Sequence, residues 1–178
     1  MRTMREQFVQ TASDLVDYRD DVCIILADIG FAAFRETGIT SRASNRVVNV
    51  GIREQLMIGV AAGMALEGFR PIVHSYAPFL IERPYEQLKL DFPHQDLGAV
   101  LVSVGASYDA SSAGRTHQAP EDVSLVATIP GATVYVPGHP EEVDPILRRA
   151  MDKAGLVYLR LSDGINTEAY EGKDENVV

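Results

Sequence analysis

At 178 residues, with 46% hydrophobic and 23% charged side chains, the chain has the composition of one globular domain, which excludes disorder, collagen and coiled coil. Sixteen Lys and Arg against 25 Asp and Glu leave a formal charge of −9 with no basic cluster, a poor match to nucleic acid or an anionic membrane surface. Cys23, the only cysteine, excludes an internal disulfide and a cysteine-based zinc site.

The first residues, MRTMREQFVQ, lack the apolar core of a signal peptide, and no apolar run approaches the ~20 residues that span a bilayer. The expectation is a soluble, cytoplasmic domain. Met4, Phe8, Ala12, Leu15 and Val16 recur at helical spacing and predict an amphipathic helix over roughly 4–18. VCIILA (22–27) is a short apolar run, the pattern of a strand buried on both faces, and places Cys23 as a buried, reduced thiol. VVNV (47–50), PIVHSY (71–76), AVLVSV (99–104), TVYV (133–136) and VYLRL (157–161) read the same way. Helical stretches fall between them near 52–66, 79–91, 121–128 and 140–153. The last has Pro140 at its start, Glu141 and Glu142 at its positive end, Arg148, Arg149 and Lys153 at its negative end, and Gly155 as its stop. Strands separated by helices predict a three-layer α/β/α domain with a mainly parallel sheet. Beyond Ser162 the sequence turns polar and acidic. We expect the domain to occupy 1–163, with 164–178 a linker or tail.

In open α/β sheets ligands bind beyond the carboxyl ends of the strands. Asp28 follows the first strand, Gly51 and Glu54 the second, Tyr76 and Phe79 the third, the loop Ser107–Gln118 the fourth, and Asp163 the last. Glu54 opens the helix IREQLMIGVAAGMALEG, where a first-turn carboxylate can simply face the helix dipole. That helix is thin, with Gly59, Ala61, Ala62, Gly63 and Ala65. It packs closely either on its own sheet or between subunits. The loop GASYDASSAGRTHQ is long for a parallel connection, which is a mark of functional loops. His117 within it reads as a solvated or capping residue or as a site residue. The four histidines show no HxH or HxxxH spacing for a metal. GxGxxG, GxxxxGK[ST] and GxSxG are all absent.

RVVNVGIREQLMIGVAAGMALEGFRPIVHSY, followed by SYAPFLIERPYEQ and then AGRTHQAPED, resembles the pyrimidine-binding (Pyr) domain of transketolases. The likeness is nearest to the separately encoded C-terminal halves of split transketolases and covers roughly residues 5–163. It implies a thiamine diphosphate-binding Pyr-domain fold. It implies that Glu54 faces N1′ of the cofactor's aminopyrimidine ring. There a shared proton favours the 4′-imino tautomer, which can remove the proton from the thiazolium C2; a desolvated carboxyl suits that exchange. It implies that Tyr76 and Phe79 line the ring, that Asp28 and Gly51 stand near the cofactor, and that His117 of the THQ motif donates to developing oxyanion charge. After Asp28, FAAFRETG departs from the family's glycine- and serine-rich turn.

Three departures concern the substrate. Ala113 stands where many transketolases carry an acid for sugar hydroxyls, Gly105 where a phosphate-binding histidine occurs, and Asp163 where a phosphate-binding arginine follows Leu-Ser. Arg115 replaces a common proline, either as an anion contact or as a solvent-facing side chain.

The chain carries no GDG…N motif. The resemblance therefore implies a partner: a diphosphate-binding subunit that carries GDG…N and holds Mg2+ or Ca2+, with this chain dimerising inside a heterotetramer. The expected reaction moves a two-carbon ketol or acyl unit from a ketose or 2-oxo acid to an aldehyde. A deoxyxylulose-phosphate-synthase-like subunit, a 2-oxo-acid dehydrogenase beta-type subunit and a non-catalytic Pyr-like module are the alternatives. THQ favours transketolase over the first two, and Glu54 with His117 argues against the third.

Overall fold

The computed structural model describes residues 2–170; positions 171–178 of the expected tail lie outside the described residues. The strands are β1 (Val22–Leu26), β2 (Val47–Asn49), β3 (Arg70–Tyr76), β4 (Ala99–Val104), β5 (Thr133–Tyr135) and β6 (Leu156–Arg160). They form a six-stranded sheet in the order β2-β1-β3-β4-β6-β5, parallel throughout. The helices are α1 (Met4–Tyr18), α2 (Phe31–Glu36), α3 (Ile39–Arg42), α4 (Glu54–Leu66), α5 (Tyr85–Asp91), α6 (Asp122–Ala127) and α7 (Pro140–Asp152).

Apolar strands with period two build two cores. Ile24, Leu26, Ile72, Val100, Val102, Val157 and Leu159 face α1, α2, α3 and α7. Cys23, Ile25, Val73, Leu101 and Tyr158 face α4, α5 and α6. Burial pushes the Cys23 thiol up to about 12, which keeps it a packing group rather than a nucleophile. The predicted stripe of α1 is buried as read, and Thr3 and Glu6 close a reciprocal capping box at its start. At its other end the Arg46 guanidinium donates to the carbonyls of Val16, Arg19 and Val22.

Two stretches differ from the sequence reading. The helix expected over 79–91 is broken. Pro78–Glu82 winds as a π-helical turn, in which the Arg83 N–H reaches back to Pro78 O at 3.0 Å. Pro84, with no N–H and a ring that collides with the preceding turn, separates it from α5. The run after β1 forms α2 and α3, six and four residues long, too short to show a period. Past β6, residues 161–170 are irregular but tied down. The Asn166 N–H donates to Gly138 O at 2.8 Å, and the Tyr170 N–H donates to Glu142 Oε1 at 2.7 Å.

His74 on β3 is fully buried between Phe8 and Phe34, its Nδ1–H donating to Val102 O at 2.8 Å. Burial depresses its pKa from 6.5 to about 4. Below the ordinary value the unfolded chain takes up a proton here that the folded chain refuses. Stability is therefore full above about pH 6.5 and falls as pH drops toward 4, by about 3 kcal/mol. Urea midpoints measured across that window should decline with pH, and a His74→Gln variant should show a flatter decline.

Candidate active site

The turn after β2 sets the position of Glu54. Gly51 takes φ +73°, a left-handed conformation that favours glycine, and its N–H donates to Asn49 Oδ1 at 3.1 Å. The same oxygen accepts the N–H of Asp28, at 2.8 Å, so Asn49 ties the turn after β2 to the turn after β1. Asp28 itself has φ +68° and an exposed side chain. The N-cap of α4 is Arg53, with no side-chain cap, and Glu54 is the first helical residue.

Glu54 does not face solvent; it is 2% exposed. Its Oε2 lies 2.8 Å from Arg83 Nη1, while Oε1 is buried and has no hydrogen-bond partner within the chain. A buried carboxylate oxygen without a donor is costly, so it marks a place that a donor should fill. The π-turn brings Arg83 to this carboxylate and stacks its guanidinium over the Phe79 ring, 4.2 Å from the centroid.

The aromatic run continues from Phe79. The His117 ring stands edge-on to Phe79 at 5.0 Å and to Tyr76 at 5.7 Å, and Tyr76 to Phe79 at 6.2 Å. Thr116 Oγ1 lies 3.0 Å from His117 Nδ1. Glycine at 105 is part of this arrangement, since its φ is +71° and an added Cβ would stand 2.5 Å from Tyr76 Cδ1. A histidine at that position and this placement of Tyr76 exclude one another.

The structure thus brings Glu54, Phe79, Tyr76 and His117 into one continuous run through Arg83. Asp28 and Gly51 form a second group joined by Asn49. Neither Arg83 nor Asn49 stands out in the sequence. Arg83 lies inside SYAPFLIERPYEQ, but only the π-turn aims it at Glu54.

The loop that carries His117 is anchored at both ends. Near its start Asp109 Oδ2 accepts the Ser162 hydroxyl at 3.0 Å and the Asp163 N–H at 2.9 Å. The Ala119 N–H donates to Ser107 O at 2.9 Å. At its far end the fully buried Asp122 accepts from Tyr158 Oη and Arg160 Nε through one oxygen, each at 2.7 Å, and from the Val123 N–H through the other. Ser103 lies 2.7 Å from the Tyr158 hydroxyl. Burial first, then the charge of Asp122, raises the Tyr158 phenol well above its ordinary value, so it stays a donor. Ala113 is exposed on the loop, and Arg115 is exposed and paired with Glu121 at 3.3 Å. Asp163 lines a cavity of about 420 Å³ beside β4 and β6, together with Arg2, Arg5, Val104 and Leu161.

Among the described residues no three His, Cys, Asp or Glu side chains are grouped to hold a metal ion, and no helix is long and apolar enough to cross a membrane. The arrangement can do two things chemically. It can accept a proton at a buried carboxylate oxygen near a cluster of aromatic rings, and it can present an imidazole from that cluster.

The family model described as transketolase, pyrimidine binding domain, matches residues 1–166. A relative from Rhodococcoides fascians, an uncharacterized 33.6 kDa protein in the fasciation locus, is 49% identical over 159 residues, 89% of this chain and 50% of the relative. The 6-deoxy-6-sulfo-D-fructose transketolase subunit SqwH of Clostridium sp. (strain MSTE9) is 31% identical over 158 residues, 89% of this chain and 49% of the relative. The chain spans about half the length of these curated relatives. Among solved structures, a split gene transketolase in an inactive beta4 tetramer superimposes with a TM-score of 0.79 at 26% identity, over 97% of this chain and 55% of that one.

Proposed function

The chain belongs to the transketolase pyrimidine-binding-domain family, and on that premise we propose that it supplies the pyrimidine face of a thiamine diphosphate-dependent, transketolase-like enzyme. The observation that carries this reading is the unpartnered, buried Oε1 of Glu54, which Arg83 links to the aromatic rings. A flat heteroaromatic ring with a protonated nitrogen would supply the missing donor, so these residues fit the pyrimidine half of the cofactor.

When bound, thiamine diphosphate supplies a nucleophilic carbon and an electron sink for breaking a carbon–carbon bond beside a carbonyl. The chain's own groups hold and move protons around it. Glu54 takes and returns a proton at Oε1. Tyr76 and Phe79 line the ring with apolar contact and keep water from it. His117 donates a hydrogen bond to substrate oxygen as charge builds there. Gly51 and Asp28 shape the rim. The reaction we propose moves a two-carbon ketol, or a related acyl unit, from a ketose or 2-oxo acid to an aldehyde.

The metal and diphosphate are assigned to a partner subunit carrying GDG…N, with Mg2+ or Ca2+. Two observations support an assembly. A named relative is a transketolase subunit, and one solved neighbour is described as a split gene transketolase. The outer face of α4 and the residue before its cap also expose apolar and small residues: Ile52 is 73% exposed and Leu66 62%, with Leu56 and Gly59 between, and an added Cβ at Gly63 would meet nothing within 4 Å. The chain's own packing does not explain that face, and we assign it to subunit contact, including a dimer of this chain within a heterotetramer.

Calorimetry tests the reading. Thiamine diphosphate with magnesium is titrated into this chain, into the candidate diphosphate-binding subunit, and into their mixture. Saturable heat is expected in the mixture. Its absence in every arm would favour a non-catalytic Pyr-like module.

A further inference from the structure

We infer that Arg83 is a positioning residue that reserves one oxygen of Glu54 for the ligand. The inference rests on the reading of Glu54 above and deepens it. A carboxylate is two-fold symmetric, and nothing intrinsic decides which oxygen faces a cofactor. Here Arg83 Nη1 holds Oε2 at 2.8 Å, and Oε1 is left as the free acceptor of the carboxylate, buried. An ion pair serving packing alone would be expected to satisfy both oxygens.

The arginine is itself fixed from two sides. Its guanidinium carbon sits 4.2 Å from the Phe79 centroid, four positions back along the chain, and the π-turn bond from its own N–H to Pro78 O sets where the side chain leaves the backbone. Arg83 is 40% exposed at the rim, so it compensates the charge of Glu54 from the wet side while Glu54 stays dry. Guanidinium suits this because its planar fork can stack on Phe79 and donate to Oε2 together; an ammonium group can donate but not stack. The pair therefore holds the carboxylate oriented, with Oε1 left open to a donor.

The test uses the assembled enzyme with thiamine diphosphate and magnesium, without substrate. The readout is exchange of the cofactor's C2 proton with D2O, quenched and followed by 1H NMR. Arg83→Met should slow exchange by about 10-fold or more, with Arg83→Lys recovering part of the loss. Tm should fall, because the buried carboxylate loses its partner, so rates are read at a temperature where each variant is folded; there cofactor affinity should stay close to the parent, and in turnover kcat should fall while the substrate KM holds. Wild-type exchange in Arg83→Met would overturn the inference, as would a loss that only tracks cofactor affinity or Tm. Glu54→Gln run in parallel separates the two levels. If it too exchanges at the parent rate, the reading of Glu54 fails; if it loses exchange while Arg83→Met keeps it, only the role of Arg83 fails.

Discussion

Glu54→Gln should lower kcat of the assembled enzyme by about 10²–10⁴-fold and leave the fold intact. The amide keeps the shape of the carboxyl group but cannot take a proton at the position of Oε1. Glu54→Ala should abolish turnover in the same way. The stability cost should stay within about 1 kcal/mol, because the partner left behind, Arg83, is 40% exposed and water can reach it. Near-UV dichroism and Tm would confirm the fold, and initial rates with saturating cofactor would report the loss. Unchanged kcat in both variants would remove the proton role assigned to Glu54.

The second large effect falls on stability. Asp122 is fully buried and accepts three donors, two of them from β6. Asp122→Ala strands the Tyr158 hydroxyl, which is buried, and Arg160, whose side chain is only 15% exposed. Removing one partner of such a pair leaves an uncompensated buried charge, and a loss of about 3–5 kcal/mol is expected. For a domain of this size that lowers Tm by roughly 10 °C. Asp122→Asn keeps the volume and one acceptor oxygen and should cost less. Activity should also fall at temperatures where the variant is still folded, because Asp122 pins the far end of the loop that carries His117. An unchanged Tm would show that β4, β6 and α6 hold together without this network.

Much of the fold is legible in the sequence because its signals are local. The α1 stripe, the apolar strands and the Pro140 start of α7 each depend on neighbours a few residues away, and the structure follows them; α7 ends at Asp152, ahead of Gly155. The elements that were not legible have local causes too. Pro84 breaks a run whose apolar spacing alone reads as one helix, and α2 and α3 are shorter than the window a period needs.

The candidate site divides differently. Sequence places Glu54, Tyr76, Phe79 and His117 after successive strands, and a parallel sheet brings strand ends to one edge whatever lies between them. That much follows from order along the chain. Which side chains touch does not. The Glu54–Arg83 pair depends on a π-turn that shifts Arg83 onto the carboxylate, and Tyr76 can lie against the end of β4 only because position 105 has no Cβ. Asp122 at the start of α6 meets Tyr158 and Arg160 of β6, from 36 and 38 positions away. The sequence by itself determined the strand order in time, the burial pattern and the edge where chemistry collects, because those follow from hydrophobic period and chain direction. Only the tertiary structure decided the free oxygen of Glu54 and the anchoring of His117, because a hydrogen bond needs a distance within a few tenths of an ångström, and long-range packing alone sets that distance.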